Sequence, residues 1–385
     1  MNRRDFLAAA GAATLTAWLP ASAHAAAARR YENLLILIEL KGGNDGLNTI
    51  IPYADPLYQS LRPRIAIPRE QVLQLDATSG LHPALQPLLP LWDARELAVV
   101  QGVGYPAANL SHFRSIEIWD TASRSDQYLS EGWLARAFAE APVPSAFAAD
   151  GVVVGSNEMG PLAGVATRAL ALNNPGEFMR QARLAGNEGV ARNGALSHIL
   201  KVERDVKQAA ANLGNNFSLR SEFPNHALGN ALKTAAQVVA SKAGVAAIKV
   251  SHNGYDTHGG QQGTQQRLLR ELAEGIAALR TALQEIGRWD STLIMTYCEF
   301  GRRPRENQSG GTDHGTANAH LLGGGRVRGG LYGAVPALDR LDGNGNLPFA
   351  VDFRDLYATT LDRWWGVSPA AVLNGRYNPV EFLRA

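Results

Sequence analysis

A doubly wound α/β sheet is the fold class this sequence predicts, and three observations predict it. Apolar runs of strand length recur at Asn33–Leu40, Leu97–Val103, Gly244–Val250 and Ser291–Tyr297. They are continuous rather than alternating, as expected of strands covered on both faces. Helical patterns separate them, and that order is the signature of βα units.

In chain order, residues 1–25 read as an address, so the fold argument starts after them. Arg3-Arg4-Asp5-Phe6-Leu7 looks like a twin-arginine export signal. The apolar stretch Leu7–Leu19 that follows is too short to span a bilayer. Ala23-His24-Ala25 fits a small-x-small cleavage site, which places the mature start near Ala26. Residues 26–385 then form a single α/β domain. A protein exported this way folds first, so a metal or cofactor can be loaded before export.

Asn33–Leu40 is the first strand, and the glycine-rich loop Lys41–Gly46 follows it. Pro83–Trp92 reads as a short helix, Leu97–Val103 as the second strand and Ser111–Ala122 as a helix. Residues 125–225 differ: short strands at Gly151–Val154 and Arg168–Leu172, a helix at Ala195–Leu213, and otherwise loop. This stretch is read as a possible helical or loop cap. Ala227–Ser241 is helical, Gly244–Val250 a strand and Gly263–Ile286 a long helix with an apolar stripe. Ser291–Tyr297 is a strand, Phe300–Ala319 a polar loop, His320–Leu322 a short strand and Asp355–Trp365 the closing helix.

Composition excludes several functions. The chain has 385 residues, 37 Lys+Arg against 35 Asp+Glu, and a formal net charge of +2. No basic field concentrates nucleic acid, and no apolar run gives stable membrane insertion. One Cys excludes an intrachain disulfide and any multi-cysteine metal site. Cys298 ends an apolar strand and reads as buried. No HExxH, CxxC or GxSxG pattern is present.

Polar residues collect after the strands, where open α/β sheets bind ligands. Asp45 follows the first strand, Ser111-His112 the second, and Asp256 and His258 the third; Glu299, Asp313 and His314 follow the fourth. In Gly254-Tyr255-Asp256-Thr257-His258, a carboxylate and an imidazole two residues apart can face one cation. Such a pair suits zinc, manganese or iron better than calcium. It equally fits an Asx turn with a surface histidine. Asp313-His314 can complete a metal site or belong to a mobile polar loop. Ser111 stands at a helix N-terminus, as a cap or as a nucleophile activated by a metal or His112. Asp45 lies in GGNDG, a turn that is often structural. Arg114 and Arg302 are the candidate clamps for an anion.

Together these segments resemble a known family. LKGGNDGLNTIIP, GVGYPAANLSHFRSIEIWDTA, GYDTH, CEFGRR, GTDHGTANAHLLGGG and VDFRDLYATTLDRWWG, in this order, look like the twin-arginine-exported family catalogued as domain of unknown function 1501. That family in turn resembles the alkaline phosphatase and sulfatase superfamily. The resemblance implies a three-layer sandwich with a central, mostly parallel sheet. It implies metal-dependent hydrolysis of phosphate or sulfate esters, with one or two divalent ions (zinc, manganese or calcium). Asp45, Asp256, His258, Glu299, Asp313 and His314 are the implied ligands. Ser111, with His112 and Arg114, is the implied catalytic group. Glu299 is followed by Phe300 where the superfamily has a metal-binding His or Asn. The partners so implied are a small anionic ester and the twin-arginine export machinery, and the place is the periplasm. The alternative is an exported binding or assembly protein that keeps the fold without catalysis.

Overall fold

The computed structural model describes residues 30–172, 219–242 and 244–384. The export segment and the helix expected over 195–213 lie outside the described residues.

Apart from a small sheet of the two-residue strands Ile50–Ile51, Leu73–Gln74 and Gly80–Leu81, the strands in chain order are β1 (Leu34–Lys41), β2 (Leu97–Gly104), β3 (Gly151–Val154), β4 (Ala169–Leu172), β5 (Ala247–Asn253) and β6 (Thr292–Tyr297). A hairpin of β7 (Arg302–Glu306) and β8 (Thr312–His314) follows, then β9 (Asn318–Gly323), β10 (Gly330–Tyr332) and β11 (Val351–Asp352). All except the hairpin join one nine-stranded sheet, ordered β10-β2-β9-β6-β1-β5-β3-β4, with β11 also beside β2. Every pairing is parallel except those of β9, which runs antiparallel between β2 and β6.

The main helices are α1 (His112–Thr121), α2 (Trp133–Glu140), α3 (Ala227–Ala240), α4 (Gln261–Glu285) and α5 (Phe353–Thr359). Side chains of β1 alternate between two cores. Leu34, Ile36, Ile38 and Leu40 pack with residues of α3 and α4, while Leu35 and Leu37 pack with residues of α1, α2 and α5. This is why β1 reads as an unbroken apolar run: both its faces are covered. In α4 the buried stripe runs through Leu268, Leu272, Ile276, Leu279 and Leu283. The result is a three-layer α/β sandwich.

The register of the central strands builds the site. Lys41 lies opposite Asn253, and Glu39 lies opposite both Ser251 and Tyr297. The carboxyl ends of β1, β5 and β6 are therefore level, and their following loops start side by side.

Four readings are refined. The Phe300–Ala319 loop contains the β7–β8 hairpin, which its charged sequences RRPRE and TDH do not advertise. His320 belongs to a six-residue, fully buried strand rather than a three-residue one. Within the interval read as a cap, β3 and β4 extend the main sheet at its edge. Pro83–Leu88 is a 3-10 helix that continues as a short α-helix, Leu89–Asp93. Cys298 is buried as expected, and burial pushes its thiol up.

Candidate metal centre

The loop after β1 sets the position of the loop after β5. Gly42 has φ +118°, and a Cβ there would collide with the Asp256 amide and lie 2.9 Å from the Tyr255 carbonyl carbon. Only glycine permits both the backbone angle and this approach. The Gly42 amide also donates to Glu299 Oε1 at 2.9 Å, which ties the loop after β6 to the same point.

Four side chains converge there. Asp256 Oδ1 lies 3.1 Å from His258 Nε2 and 3.2 Å from His314 Nε2. Asp256 Oδ2 lies 3.4 Å from His112 Nε2, and the Nε2 atoms of His258 and His314 are 3.0 Å apart. Each imidazole has its other nitrogen committed. His314 Nδ1 donates to the Leu110 carbonyl at 2.9 Å. His258 Nδ1 faces Asp313 Oδ1 at 3.3 Å, and His112 Nδ1 faces Glu299 Oε1 at 2.8 Å. Carbonyls and carboxylates only accept, so each Nδ1 carries a proton, and each Nε2 faces Asp256. Three imidazole nitrogens beside one carboxylate form a donor set that a divalent cation would fit. Acceptors that fix the distal nitrogen are the usual support of metal-ligating histidine.

The spacing fits a metal. Two ligand atoms about 2.0–2.1 Å from one tetrahedral ion lie about 3.3 Å apart, against the 3.0–3.4 Å found here. His112, Asp256 and His314 offer ligand atoms all within 4.8 Å of one another. Three imidazoles and one carboxylate suit zinc, manganese or iron.

Arg302 holds the carboxylate. Its buried guanidinium donates to Asp256 Oδ1 at 2.6 Å, Gly43 O at 2.7 Å, Thr312 O at 2.8 Å and Tyr255 O at 3.1 Å, and also to Gly42 O. Burial by itself would raise the Asp256 pKa. The hydrogen bonds from Arg302 and His314 outweigh that and hold it down to about 2. The hydrogen bond to Glu299 is the main reason that His112 is pushed up. Burial is the main reason that His314 is pushed down. Asn307, in the hairpin turn, donates to His258 O at 2.9 Å and Asp313 Oδ1 at 3.1 Å, so the hairpin braces His258.

The structure thus brings Asp256, His258, His314 and His112 together, with Asp313 and Glu299 behind them. Asp45 is elsewhere engaged. It caps the Gly46–Thr49 turn through the Leu47 amide and pairs with buried Arg62 at 2.5 Å. It also accepts from Gln261, so its oxygens are occupied. Arg114 is no anion clamp: it pairs with Glu117 and donates to the carbonyls of Arg124, Ser125 and Gln127. Arg302 is fully spent on protein groups. Ser111 is the exposed N-cap residue of α1, and its hydroxyl makes no capping bond. The sequence reading paired His112 with the serine as a catalytic residue; the structure also sets its Nε2 beside Asp256. The signal for it was its position one residue after the loop that ends β2.

A family profile described as "Protein of unknown function (DUF1501)" matches residues 92–375. Among curated proteins no relative matches. Among solved structures, lipoteichoic acid synthase LtaP from Listeria monocytogenes is similar at 9% identity and a TM-score of 0.40, covering 89% of this chain and 76% of that one. A protein of the alkaline phosphatase superfamily from Vibrio parahaemolyticus is similar at 10% identity and a TM-score of 0.40, covering 89% and 68%. The C-terminal periplasmic domain of EcEptC from Escherichia coli, in complex with zinc, gives 10% identity and a TM-score of 0.37, covering 76% and 72%. At such scores these likenesses identify no function.

Proposed function

Since the chain belongs to the family of proteins of unknown function DUF1501, which carries no assigned activity, we propose a function from the site itself: a metal-dependent hydrolase of phosphate or sulfate esters. The observation that carries the reading is the convergence of three imidazole Nε2 atoms on the Asp256 carboxylate, each with its Nδ1 held by an acceptor.

His112, Asp256 and His314 would hold the ion, with His258 beside Asp256 and His314 as a further ligand. A divalent ion in that position lowers the pKa of a water or hydroxyl group and offsets negative charge on ester oxygens. The chain supplies the rest. Glu299, Asp313 and the Leu110 carbonyl fix the three rings, so the donor set needs no rearrangement on binding. Arg302 keeps Asp256 ionised, so the carboxylate faces the centre as an anion. Ser111 presents an uncapped hydroxyl one residue from His112 and is the proposed nucleophile. Ser111 is the N-cap of α1, and the first amides of a helix favour an anionic group.

One ion is the proposed occupancy, because Asp45 is neutralised by Arg62 and makes no second centre with Glu299. The same fact favours the second reading, a binding protein that keeps the fold without turnover. Nitrophenyl phosphate and nitrophenyl sulfate separate the two. Metal-restored hydrolysis, lost by more than 100-fold in His314→Ala and in Ser111→Ala, is the expected result. Full activity in metal-free protein removes the metal-dependent reading, and no turnover of either ester with metal present removes the hydrolase reading.

Export to the periplasm by the twin-arginine route belongs to this proposal and rests on Arg3-Arg4 and Ala23-His24-Ala25. No helix among the described residues is long and apolar enough to cross a membrane. Cell fractionation tests it: replacing Arg3 and Arg4 by lysine leaves the protein in the cytoplasm, and unaltered export contradicts the route.

A further inference from the structure

Beside the metal centre lies a second feature that the ester chemistry does not use. A pocket of about 400 Å³ opens against His112 and Glu299, which form its border with the centre. Its charged lining is acidic: Glu39, Glu117, Asp120, Glu158 and Glu299, against Lys41. Its other wall is apolar and includes Phe113, Ile116, Leu129 and Ala163.

We propose that this pocket binds an organic cation, an ammonium or guanidinium group carried on an apolar stem. As a substrate subsite the proposal rests on the hydrolase reading above; as a cation site it does not. Three observations carry it.

The first is an excess of acceptors. Lys41 pairs with Glu158, Arg114 with Glu117, Lys249 with Glu39 and His112 with Glu299. Asp120 forms no ion pair among the described residues and has only the Tyr297 hydroxyl at 3.3 Å. Glu39 and Glu299 are almost fully buried, and each keeps one carboxylate oxygen, Oε1 and Oε2 respectively, without a hydrogen-bond partner. A buried carboxylate oxygen without a donor is costly, and a donor-rich ligand relieves that cost.

The second is the nature of the cation. Two of the lining residues already hold an ammonium group behind the pocket: buried Lys249 Nζ sits 2.9 Å from Glu39 Oε2 and 3.0 Å from the Glu158 carbonyl. The volume is that of a small-molecule site rather than of a bare ion.

The third is Phe113, which is 88% exposed at the pocket's edge. It follows His112 directly in α1 and lines the pocket. An apolar stem laid on this ring places the cationic end among the carboxylates.

The probe is benzamidine, a cation on an aryl stem, with neutral benzamide as its isostere. Binding is measured by calorimetry on the folded protein at pH 9. Asp120 is pushed up to about 8 by burial, so it is ionised there. The groups facing it are Glu39 from β1, Lys249 from β5, Tyr297 from β6 and Glu158. Benzamidine is expected to bind at least 10-fold more tightly than benzamide. Asp120→Asn is expected to erase that preference, and Phe113→Ala, at an exposed position, to weaken both probes 3- to 10-fold. The preference is expected to persist in Asp256→Ala, which separates the pocket from the metal centre. Equal binding of the two probes overturns the proposal, as does benzamidine affinity unchanged by both pocket substitutions. Intact preference without ester hydrolysis upholds the cation site and removes only the hydrolase reading. Intact hydrolysis without the preference removes only the cation site.

Discussion

Asp256 and Asp120 show how two aspartates in one region are driven in opposite directions. Asp256 is half exposed, yet the Arg302 guanidinium beside it keeps it ionised. Asp120 has no such partner, and burial, aided by Glu39 and Glu158 and opposed by Lys249, pushes it up to about 8. The consequence for stability has a definite sign. In the unfolded chain Asp120 ionises in the ordinary carboxylate range, near pH 4. In the folded protein it keeps its proton until about pH 8. Its contribution is therefore complete below about pH 4 and is lost as pH rises through about 8. Asn imitates the protonated form. Asp120→Asn is expected to melt above the wild type at pH 9, by about 2–4 °C per kcal/mol of penalty removed, and to match it near pH 4. Thermal melts at the two values check this, and a variant that melts lower at pH 9 contradicts it.

At the scale of elements, the site is made by three loops joined by close backbone approach and by the Glu299 and Arg302 side chains. Gly42 is the tightest of these contacts. Gly42→Ala must leave the left-handed region or stay strained, at about 1–3 kcal/mol for the backbone angle alone. It must also push the Asp256 segment away. Loss of bound metal together with a lower melting temperature is the expected outcome. Wild-type metal affinity in Gly42→Ala would show that the loop has room to spare. This contact also explains what was legible in the sequence. Long apolar strands and the stripe of α4 were readable because burial writes itself as periodicity. Asp256, His258 and His314 were readable because they stand after strands. The β7–β8 hairpin was not: its strands are charged, and it is held by the side chains of Arg302 and Asn307 and by the Thr257 carbonyl, which receives the Thr312 amide at 3.2 Å. Asp45 was misplaced for a related reason. Its partner Arg62 lies in a segment with no motif, and the pair forms only when the chain folds back.

For the whole molecule, the sandwich keeps its chemistry at one end. β1, β5 and β6 are buried on both faces and end level, so the loops that follow meet on a rigid base. The antiparallel strand β9 carries His320 into the interior, against the edge of Trp119 at 5.2 Å. Burial pushes its imidazole down to about 3, so it stays neutral and belongs to the core, away from the metal centre. Each candidate ligand thus depends on the sheet for its place, and the central claim is that the sheet assembles one metal centre. The most direct measurement is the metal content of protein purified without chelators, by elemental mass spectrometry, beside Asp256→Ala and His314→Ala. One equivalent of zinc, manganese or iron per chain, absent from both folded variants, is the expected result. A wild-type protein that takes up none of these ions on incubation, or one whose metal survives both substitutions, would contradict it.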